Sequence, residues 1–325
     1  MDPSSSSSSS GAGLFVRVAK ATIALTYLLI SVGAIVRVTG AGMGCPDWPR
    51  CFGLLVPPIS VEQLPPPGSY TYPPGWSVES FDPLMTWIEF LNRLLGMTVG
   101  LAILATLILA VRVHRRRPAV LVPVIGAFVG VLYAAWLGGR VVAHELAPWI
   151  VTVHLLSAIA VVSLLVVAAV NATTTTTTTP EGLHVSRVAW GVAALALVQG
   201  ALGTQVRGIL EDIARHHLEI ARGAWIDQVG LVDILHRNLA LAVVAAVVAL
   251  FFVVRGKLRD HAAVNKAAAA SLALALAQVV VGLVLVYAAL PKVMQVFHLL
   301  AGALLLGTLT MTAMLARRTA PTVNA

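Results

Sequence analysis

Eight apolar stretches, each close to 20 residues or longer, limit the folds open to this chain. They lie at about residues 17–37, 84–111, 119–139, 149–171, 186–206, 229–254, 264–289 and 292–315. A helix needs about 20 apolar residues to cross a hydrocarbon core about 30 Å thick. Lipid offers no partner for unpaired backbone groups, so each stretch is expected to be helical. The sequence therefore predicts an all-α membrane protein with eight transmembrane helices, and only 11% of its residues are charged.

Lysine and arginine predict the topology. Basic residues lie at the start of the first stretch, follow the second and the last, and surround the loop between the sixth and the seventh. They are Arg17, Lys20, Arg112, Arg115, Arg116, Arg117, Arg255, Lys257, Arg259, Lys266, Arg317 and Arg318. Short basic loops stay in the cytoplasm, so both termini are predicted to be cytoplasmic and the first loop external. The net charge of +8 is explained by topology, and no nucleic acid is expected as a partner.

The polyserine segment Met1–Ser10 lacks the arginines of a mitochondrial transit peptide. A multi-pass protein of a bacterial plasma membrane is therefore favoured, with a mitochondrial inner membrane as the alternative.

Two motifs recur at one spacing and indicate an internal duplication. Asn92, in Trp-Ile-Glu-Phe-Leu-Asn-Arg, and His236, in Leu-Val-Asp-Ile-Leu-His-Arg, are 144 positions apart, as are His154 and His298. Four spans per half give both halves the same orientation, so a pseudo-two-fold axis along the membrane normal should relate two four-helix bundles. The predicted segments are a disordered tail (1–16), a first repeat (17–171) with an external loop (38–83), a Thr-rich linker (172–185), a second repeat (186–316) and a C-terminal tail (317–325).

The four motif positions are predicted to lie at one depth. Counting 1.5 Å per residue, Asn92, His154, His236 and His298 fall about 8–12 Å below the outer boundary. This places one pocket in the outer half of each bundle. In the second pocket both positions are histidine, which suits the iron of a haem. Zinc or copper is less favoured, since no thiol or carboxylate cluster joins the two imidazoles.

Charged residues flank each pocket position. Glu89 precedes Asn92 by three residues, and Asp233 precedes His236 by three, which places each carboxylate on the pocket face of its helix. Arg93 and Arg237 follow directly. These arginines are expected either to pair with the carboxylates or to bind haem propionates.

The two cysteines, Cys45 and Cys51, lie in the predicted external loop. A disulfide is favoured over free thiols in that compartment. Such a bond could staple the loop over the first pocket or exchange electrons with a thiol partner.

Together these residues resemble the haem A synthase family over about residues 15–316. The resemblance rests on Thr39-Gly40-Ala41-Gly42, Cys45-Pro46-Asp47-Trp48-Pro49, Glu89-Phe90-Leu91-Asn92-Arg93, His154, His236-Arg237 and His298. It implies a membrane oxidoreductase that converts haem O to haem A, oxidising the C8 methyl group of the porphyrin to a formyl group by successive hydroxylations.

The resemblance also implies roles for the site residues. A haem b cofactor would be held in the second half by His236 and His298, with Arg237 beside it. The substrate haem would be bound in the first half by His154, with Asn92 and Arg93. Glu89 matches the family's catalytic carboxylate, and Cys45 and Cys51 match its external disulfide pair. Asn92 departs from the pattern, because a histidine is usual there, so His154 would be the one strong axial ligand of the substrate.

Two other functions were weighed. A di-histidine membrane cytochrome b would only transfer electrons, and a transporter built from parallel repeats would not explain paired histidines at one depth. The first pocket has Glu89 beside Asn92, which is a poor metal ligand, whereas the second pocket has two histidines. A protein that only transfers electrons has little need for this difference, so the enzyme is favoured. The expected partners are haem O, the lipid bilayer, an unidentified electron donor, a haem O synthase and oxidase assembly proteins. An oligomer is compatible with the sequence.

Overall fold

The fold is all-helical in the residues that the computed structural model describes, which are 3–66, 68–73, 76–173, 178–217 and 219–319, with side chains from residue 11 onward. Its long helices are α1 (Pro3–Thr39), α2 (Pro83–His114), α3 (Pro118–Ala143), α4 (Pro148–Thr173), α5 (Pro180–His216), α6 (Leu231–Lys257), α7 (Ala262–Tyr287) and α8 (Lys292–Ala316). All eight are long and apolar enough to cross a membrane, α1 from Gly11 onward. The predicted fold class is confirmed, and the chain is a multi-pass membrane protein.

Proline fixes where several of these helices begin. It occupies the first position of α2, α3, α4 and α5, where its missing N–H would have had no intrahelical partner. The Asp82 carboxylate caps α2 by accepting hydrogen bonds from the backbone N–H groups of Leu84 at 2.8 Å and Met85 at 3.2 Å. Thr179 caps α5 by accepting from the N–H of Gly182 at 3.0 Å.

Each half forms a closed ring of four helices. In the first half α1 packs against α2 and α4, and α3 packs against α2 and α4. In the second half α5 packs against α6 and α8, and α7 packs against α6 and α8. The two rings have the same order of neighbours. Because each ring encloses the side chains of its four helices, each provides an interior site of the kind that helix bundles use for cofactors.

The contacts between the rings fit the predicted pseudo-two-fold axis. α1 packs against α8, α5 packs against α4, and α4 packs against α8. A two-fold rotation that exchanges the halves replaces α1 by α5 and α4 by α8. It therefore converts the α1–α8 contact into the α5–α4 contact and leaves the α4–α8 contact unchanged. Polar bonds reinforce this interface: the hydroxyls of Thr152 and Thr204 lie 2.6 Å apart between α4 and α5, and Arg37 of α1 forms an ion pair with Glu211 of α5.

Three boundaries differ from the sequence prediction. The tail predicted as disordered overlaps α1, and Phe15 within it is fully buried against the ring of His114, with ring centres 4.8 Å apart. Residues 172–173 and 180–185 of the predicted linker are helical, and 174–177 lie outside the described residues. Helix α5 continues ten residues past the apolar stretch that predicted it, and Arg207 and Glu211 of this extension form an ion pair.

Candidate functional site

The second ring holds a facing pair of imidazoles. His236 of α6 and His298 of α8 have ring centres 6.4 Å apart, with their planes inclined by 67°. A metal–nitrogen bond is about 2 Å long and the ring centre lies about 1 Å behind the nitrogen, so two imidazoles on opposite sides of one metal ion have centres about 6 Å apart. The spacing of this pair therefore suits two axial ligands of a single metal.

Two glutamines hold the backbone at these histidines. The side-chain amide of Gln199, on α5, donates to the carbonyl of His236 at 2.9 Å and lies 3.0 Å from the Nδ1 atom of that ring. Gln278, on α7, donates to the carbonyl of His298 at 2.8 Å. Each histidine is thus anchored from the neighbouring helix of its ring.

A glycine faces each of the four motif positions. A Cβ atom placed on Gly203 would lie 3.0 Å from Cε1 of His236, and one on Gly282 would lie 3.8 Å from Cε1 of His298. In the first ring a Cβ on Gly138 would lie 3.7 Å from Cε1 of His154, and one on Gly33 would lie 3.9 Å from Oδ1 of Asn92. The glycines leave space beside the four pocket side chains.

Several buried side-chain atoms at the motif positions and their supporting glutamines have no hydrogen-bond partner in the part of the chain that the structure describes. They include Asn92 Oδ1, His298 Nδ1, and the Oε1 atoms of Gln199 and Gln278. A buried polar atom left unpaired is costly and needs an explanation, such as a ligand. The same described residues contain no group of three or more His, Cys, Asp or Glu side chains that could hold a metal ion. A histidine pair without other ligands suits a metal that brings its own equatorial nitrogens, as haem iron does.

The first ring has no counterparts of Gln199 and Gln278, the glutamines that bond to the histidine carbonyls in the second ring. Gln278 has Ala134 as its counterpart 144 positions earlier. Gln199 precedes the facing glycine Gly203 by four residues, and the residue four before Gly33 is Leu29. One histidine, His154, and one asparagine thus occupy the motif positions of this ring. The two pockets differ in their supporting residues as well as in their motif side chains.

Glu89 and Arg93 of α2 tie the disulfide-containing loop between α1 and α2 to helix α2. Glu89 is buried, and its Oε2 atom accepts a hydrogen bond from the backbone N–H of Cys45 at 2.8 Å. Its Oε1 atom forms an ion pair with Arg93. The guanidinium of Arg93 also donates to the carbonyls of Cys45, Asp47 and Arg50. Of the two roles considered for Arg93, pairing with the carboxylate is therefore the one that the structure displays.

The loop itself is compact. A disulfide joins Cys45 to Cys51, as predicted. The Asp47 carboxylate accepts hydrogen bonds from the N–H groups of Phe52 at 2.6 Å and Gly53 at 2.8 Å. The ring of Phe52 lies among four aromatic rings of the same loop, those of Tyr70, Tyr72, Trp76 and Phe81. These contacts support the stapling role of the disulfide.

Trp48 brings the loop against α3 beside the first pocket. A Cβ on Gly139 would lie 3.1 Å from the indole ring, and the preceding residue, Gly138, faces His154. A cleft of about 320 Å³ lies here between the loop and α3, lined in part by Pro46, Trp48 and Trp136. The loop therefore lies over the end of the first ring at which α1 ends and α2 begins.

The equivalent pair in the second ring is less constrained. Arg237 contacts the Asp233 carboxylate at 2.6 Å, and the arginine side chain is 48% exposed. No loop carbonyl accepts from it in the described residues. Asp233 and Arg237 thus repeat the geometry of Glu89 and Arg93 without their link to a loop.

Some site residues were not anticipated. The internal duplication could not reveal Gln199 and Gln278, because the residues at the equivalent positions of the first half are apolar. It could have revealed the glycines: Gly138 and Gly282 share the 144-residue spacing of the histidines, and Gly-x-x-Val-Arg occurs at 33–37 and 203–207. Gly33 and Gly203 are therefore equivalent glycines of the two halves, since they face Asn92 and His236.

These features define a polytopic membrane protein with a pair of histidines in one helix ring and a histidine and an asparagine at the equivalent positions of the other. The family model described as cytochrome oxidase assembly protein, COX15-CtaA, matches residues 17–310. The chain belongs to this family.

The individual relatives to which the chain is similar are all named haem A synthase. The chain is 26% identical to the haem A synthase of Shewanella oneidensis over 217 residues, which cover 65% of this chain and 62% of that protein. It is 26% identical to that of Parvibaculum lavamentivorans, covering 62% of each chain. It is 25% identical to that of Shouchella clausii over 304 residues, 90% of this chain and 93% of the relative. The chain thus spans less than two thirds of the first two relatives and nearly all of the third.

Proposed function

We propose that this protein is a haem A synthase, which oxidises the C8 methyl group of haem O to a formyl group by successive hydroxylations. The observation that carries the proposal is the difference between the rings. One ring has two imidazoles at the spacing of a bis-histidine metal site. The other has His154 with Asn92 under a stapled loop. The relatives named above add weight, since each is a haem A synthase.

The second ring is proposed to hold haem b. His236 and His298 would hold it, and Gln199 and Gln278 would fix the backbone from which these histidines project. When bound, haem b supplies one-electron transfer to and from the first site. The chain's contribution is to hold two neutral imidazoles at a fixed spacing and to exclude water.

The first ring is proposed to bind haem O through His154. An amide is a poor iron ligand, so Asn92 would leave the opposite face of the substrate without a strong protein ligand. Asn92 Oδ1 is buried and without a partner in the described residues, so it is available to accept a hydrogen bond inside the pocket. The loop residue Trp48 would cover the outer side of this site.

Glu89 is proposed as the catalytic residue. A buried carboxylate close to a reacting carbon can accept a proton or stabilise developing positive charge. Arg93 and the N–H of Cys45 hold both of its oxygens in place, so the carboxylate needs no reorganisation during the reaction. The same bonds give Glu89 a second task, which is to position the loop.

The proposed orientation places both termini in the cytoplasm of a bacterial cell and the disulfide loop outside. The clusters Arg115–Arg117 and Arg255–Arg259 lie at the α2–α3 and α6–α7 connections, which an eight-span chain puts on one side. The disulfide loop follows α1 and lies on the opposite side. Short basic loops remain cytoplasmic. An oxidising exterior would also preserve the disulfide.

The partners proposed are haem O as substrate, an unidentified electron donor, a haem O synthase that delivers the substrate, and oxidase assembly proteins that receive the product. The test is to purify the protein after co-expression with a source of haem O, extract the haems, and identify them by chromatography and mass. Haem A or its hydroxylated precursor beside haem b would support the proposal. Haem b alone, with haem O unchanged in the membranes, would contradict it and indicate an electron-transfer cytochrome.

A further inference from the structure

A partly buried group of charged residues lies between the two rings and has no role in the function described so far. The carboxylate of Glu211, on α5, binds Arg37 of α1 through two hydrogen bonds, of 2.8 and 2.9 Å. It also accepts from Nε of Arg207, on α5, at 2.8 Å. Arg207 further donates to the side-chain oxygen of Gln295, on α8. These four residues, which we call the arginine cluster, join α1, α5 and α8.

The arginine cluster has an excess positive charge. It contains two guanidinium groups and one carboxylate, and Gln295 is neutral. The side chains of Arg37, Arg207 and Glu211 are only 12%, 27% and 15% exposed. A charge that is largely removed from water without a counter-charge is costly. The excess charge therefore indicates an anionic ligand.

The cluster's position indicates which ligand. Arg37 follows Gly33 by four residues, and Arg207 follows Gly203 by four. Residues at that spacing share one helix face, and four residues span about 6 Å of helix. Gly33 faces Asn92 in the first pocket and Gly203 faces His236 in the second. Each arginine thus lies on the pocket side of its helix, one turn towards the end at which the disulfide loop lies.

The arginines expected from the sequence to bind propionates are less suited to it. Arg93 is occupied by Glu89 and by three carbonyl groups of the loop. Arg237 has its own carboxylate, Asp233, and is half exposed. Arg207 donates to Glu211, to Gln295 and, at 3.4 Å, to the carbonyl of Arg37, so it differs from Arg93 and Arg237 in its charge balance and not in having free donors. Arg207 and Arg37 share one carboxylate, and Nη1 of Arg37 donates no hydrogen bond within the described residues.

We propose that Arg37 and Arg207 bind the porphyrin carboxylates at the two sites, Arg37 for the substrate haem and Arg207 for haem b. Arginine suits this task, because its planar fork of N–H groups matches a carboxylate. Glu211 acts as a positioning residue, which holds both guanidinium groups at the interface between the rings. The proposal rests on the proposed function, since it requires a haem in each ring.

The experiment compares Arg207→Gln, Arg37→Gln and Glu211→Gln with the wild type and with Arg187→Gln. Arg187 is an exposed arginine at the opposite end of α5 and serves as the control. Two quantities are measured on the purified proteins: the midpoint potential of bound haem b, by redox titration, and the amount of each haem retained through gel filtration. Neither depends on turnover.

Arg207→Gln is expected to lower the midpoint potential, because a positive charge beside a haem stabilises its reduced form. It should also weaken haem b binding by about ten- to hundred-fold, the effect of losing one hydrogen bond to a charged group. Arg37→Gln should reduce the amount of haem O that the purified protein retains, and it should lower the haem b potential less than Arg207→Gln does. Arg207→Lys, which keeps the charge, should restore most of the potential.

Glu211→Gln separates binding from a purely structural role. If the arginines bind carboxylates of haem, removal of their competing carboxylate should raise the midpoint potential of haem b. If the cluster only joins the rings, Glu211→Gln and Arg207→Gln should both lower the melting temperature and leave the potential alone, which would overturn the proposal. A potential lowered by Arg237→Gln and not by Arg207→Gln would also overturn it. A wild-type protein that binds no haem would instead refute the proposed function.

Discussion

Gly203 offers a sharp test of the second pocket, because the space beside His236 is narrower than the space beside His298. A Cβ added at Gly203 would meet Cε1 of His236 at 3.0 Å, whereas one added at Gly282 would meet Cε1 of His298 at 3.8 Å. Ordinary carbon–carbon contacts lie at about 3.5–4.0 Å. Gly203→Ala must therefore displace the His236 ring by about 0.5–1 Å, and Gly282→Ala need not move its histidine.

The displacement matters only when the ring is held by a metal. Without a metal the His236 side chain can turn away, and alanine favours a helix over glycine by about 1 kcal/mol, so apo-protein carrying Gly203→Ala should be as stable as the wild type or more stable. With haem bound, overpacking costs about 1–3 kcal/mol. Since each 1.4 kcal/mol is tenfold, haem b should bind about five- to hundred-fold more weakly.

The assay titrates haem into apo-protein in detergent, follows the low-spin absorbance spectrum, and records the thermal unfolding of the apo form. Gly282→Ala is the matched control, and its affinity should lie close to that of the wild type. Equal haem affinity in Gly203→Ala and Gly282→Ala would refute the reasoning. So would a loss of affinity in Gly203→Ala with an equal loss of apo-protein stability, because the effect would then be on the fold.

Three further predictions concern the histidine pair, Glu89 and the external loop. His236→Ala or His298→Ala should abolish the low-spin haem b spectrum, and a spectrum retained in both variants would exclude them as ligands. Glu89→Ala should leave haem b bound while no haem A is formed, as measured by haem extraction; a normal yield would remove Glu89 from the mechanism. Burial and the Asp47 carboxylate raise the pKa of Tyr70 from 10.0 to about 12. Because the unfolded chain loses this proton first, loop stability should fall as pH rises from about 10 to 12. A difference titration of wild type against Tyr70→Phe at 295 nm should show one phenol with a midpoint near pH 12, and ionisation at its ordinary pKa would contradict this.

The number of helices and the histidine positions could be predicted from the sequence because each depends on a local pattern. An apolar run of about 20 residues has few alternatives to a membrane helix. The 144-residue spacing identified His154, His236 and His298 without any structure, since duplication preserves register. What the pattern could not supply was the partner of each side chain across helices.

Arg93 illustrates that limit. Its position after Asn92 suggested either an ion pair with Glu89 or a haem ligand, and only the three-dimensional path of the loop shows that its other donors are occupied by the carbonyls of Cys45, Asp47 and Arg50. The end of α5 is a second case. Glu211 interrupts the apolar pattern, so a helix boundary was predicted before it, but its partner Arg37 lies 174 residues earlier in the chain. Long-range pairing of this kind leaves no local signal.

The single carboxylate at the interface makes the two halves of the chain non-interchangeable. Glu211 lies four residues after Arg207, whereas the residue four after Arg37 is Ala41. A dimer of two first halves, joined through the face that carries Arg37, would bring together two arginines and no carboxylate. A dimer of two second halves would bring together two arginines and two glutamates. Only the fused chain places one acid between two bases. The covalent link between the repeats thus does more than keep them close: it allows a pairing that no homodimer of either half could reproduce, and it guarantees that each molecule has one ring of each kind.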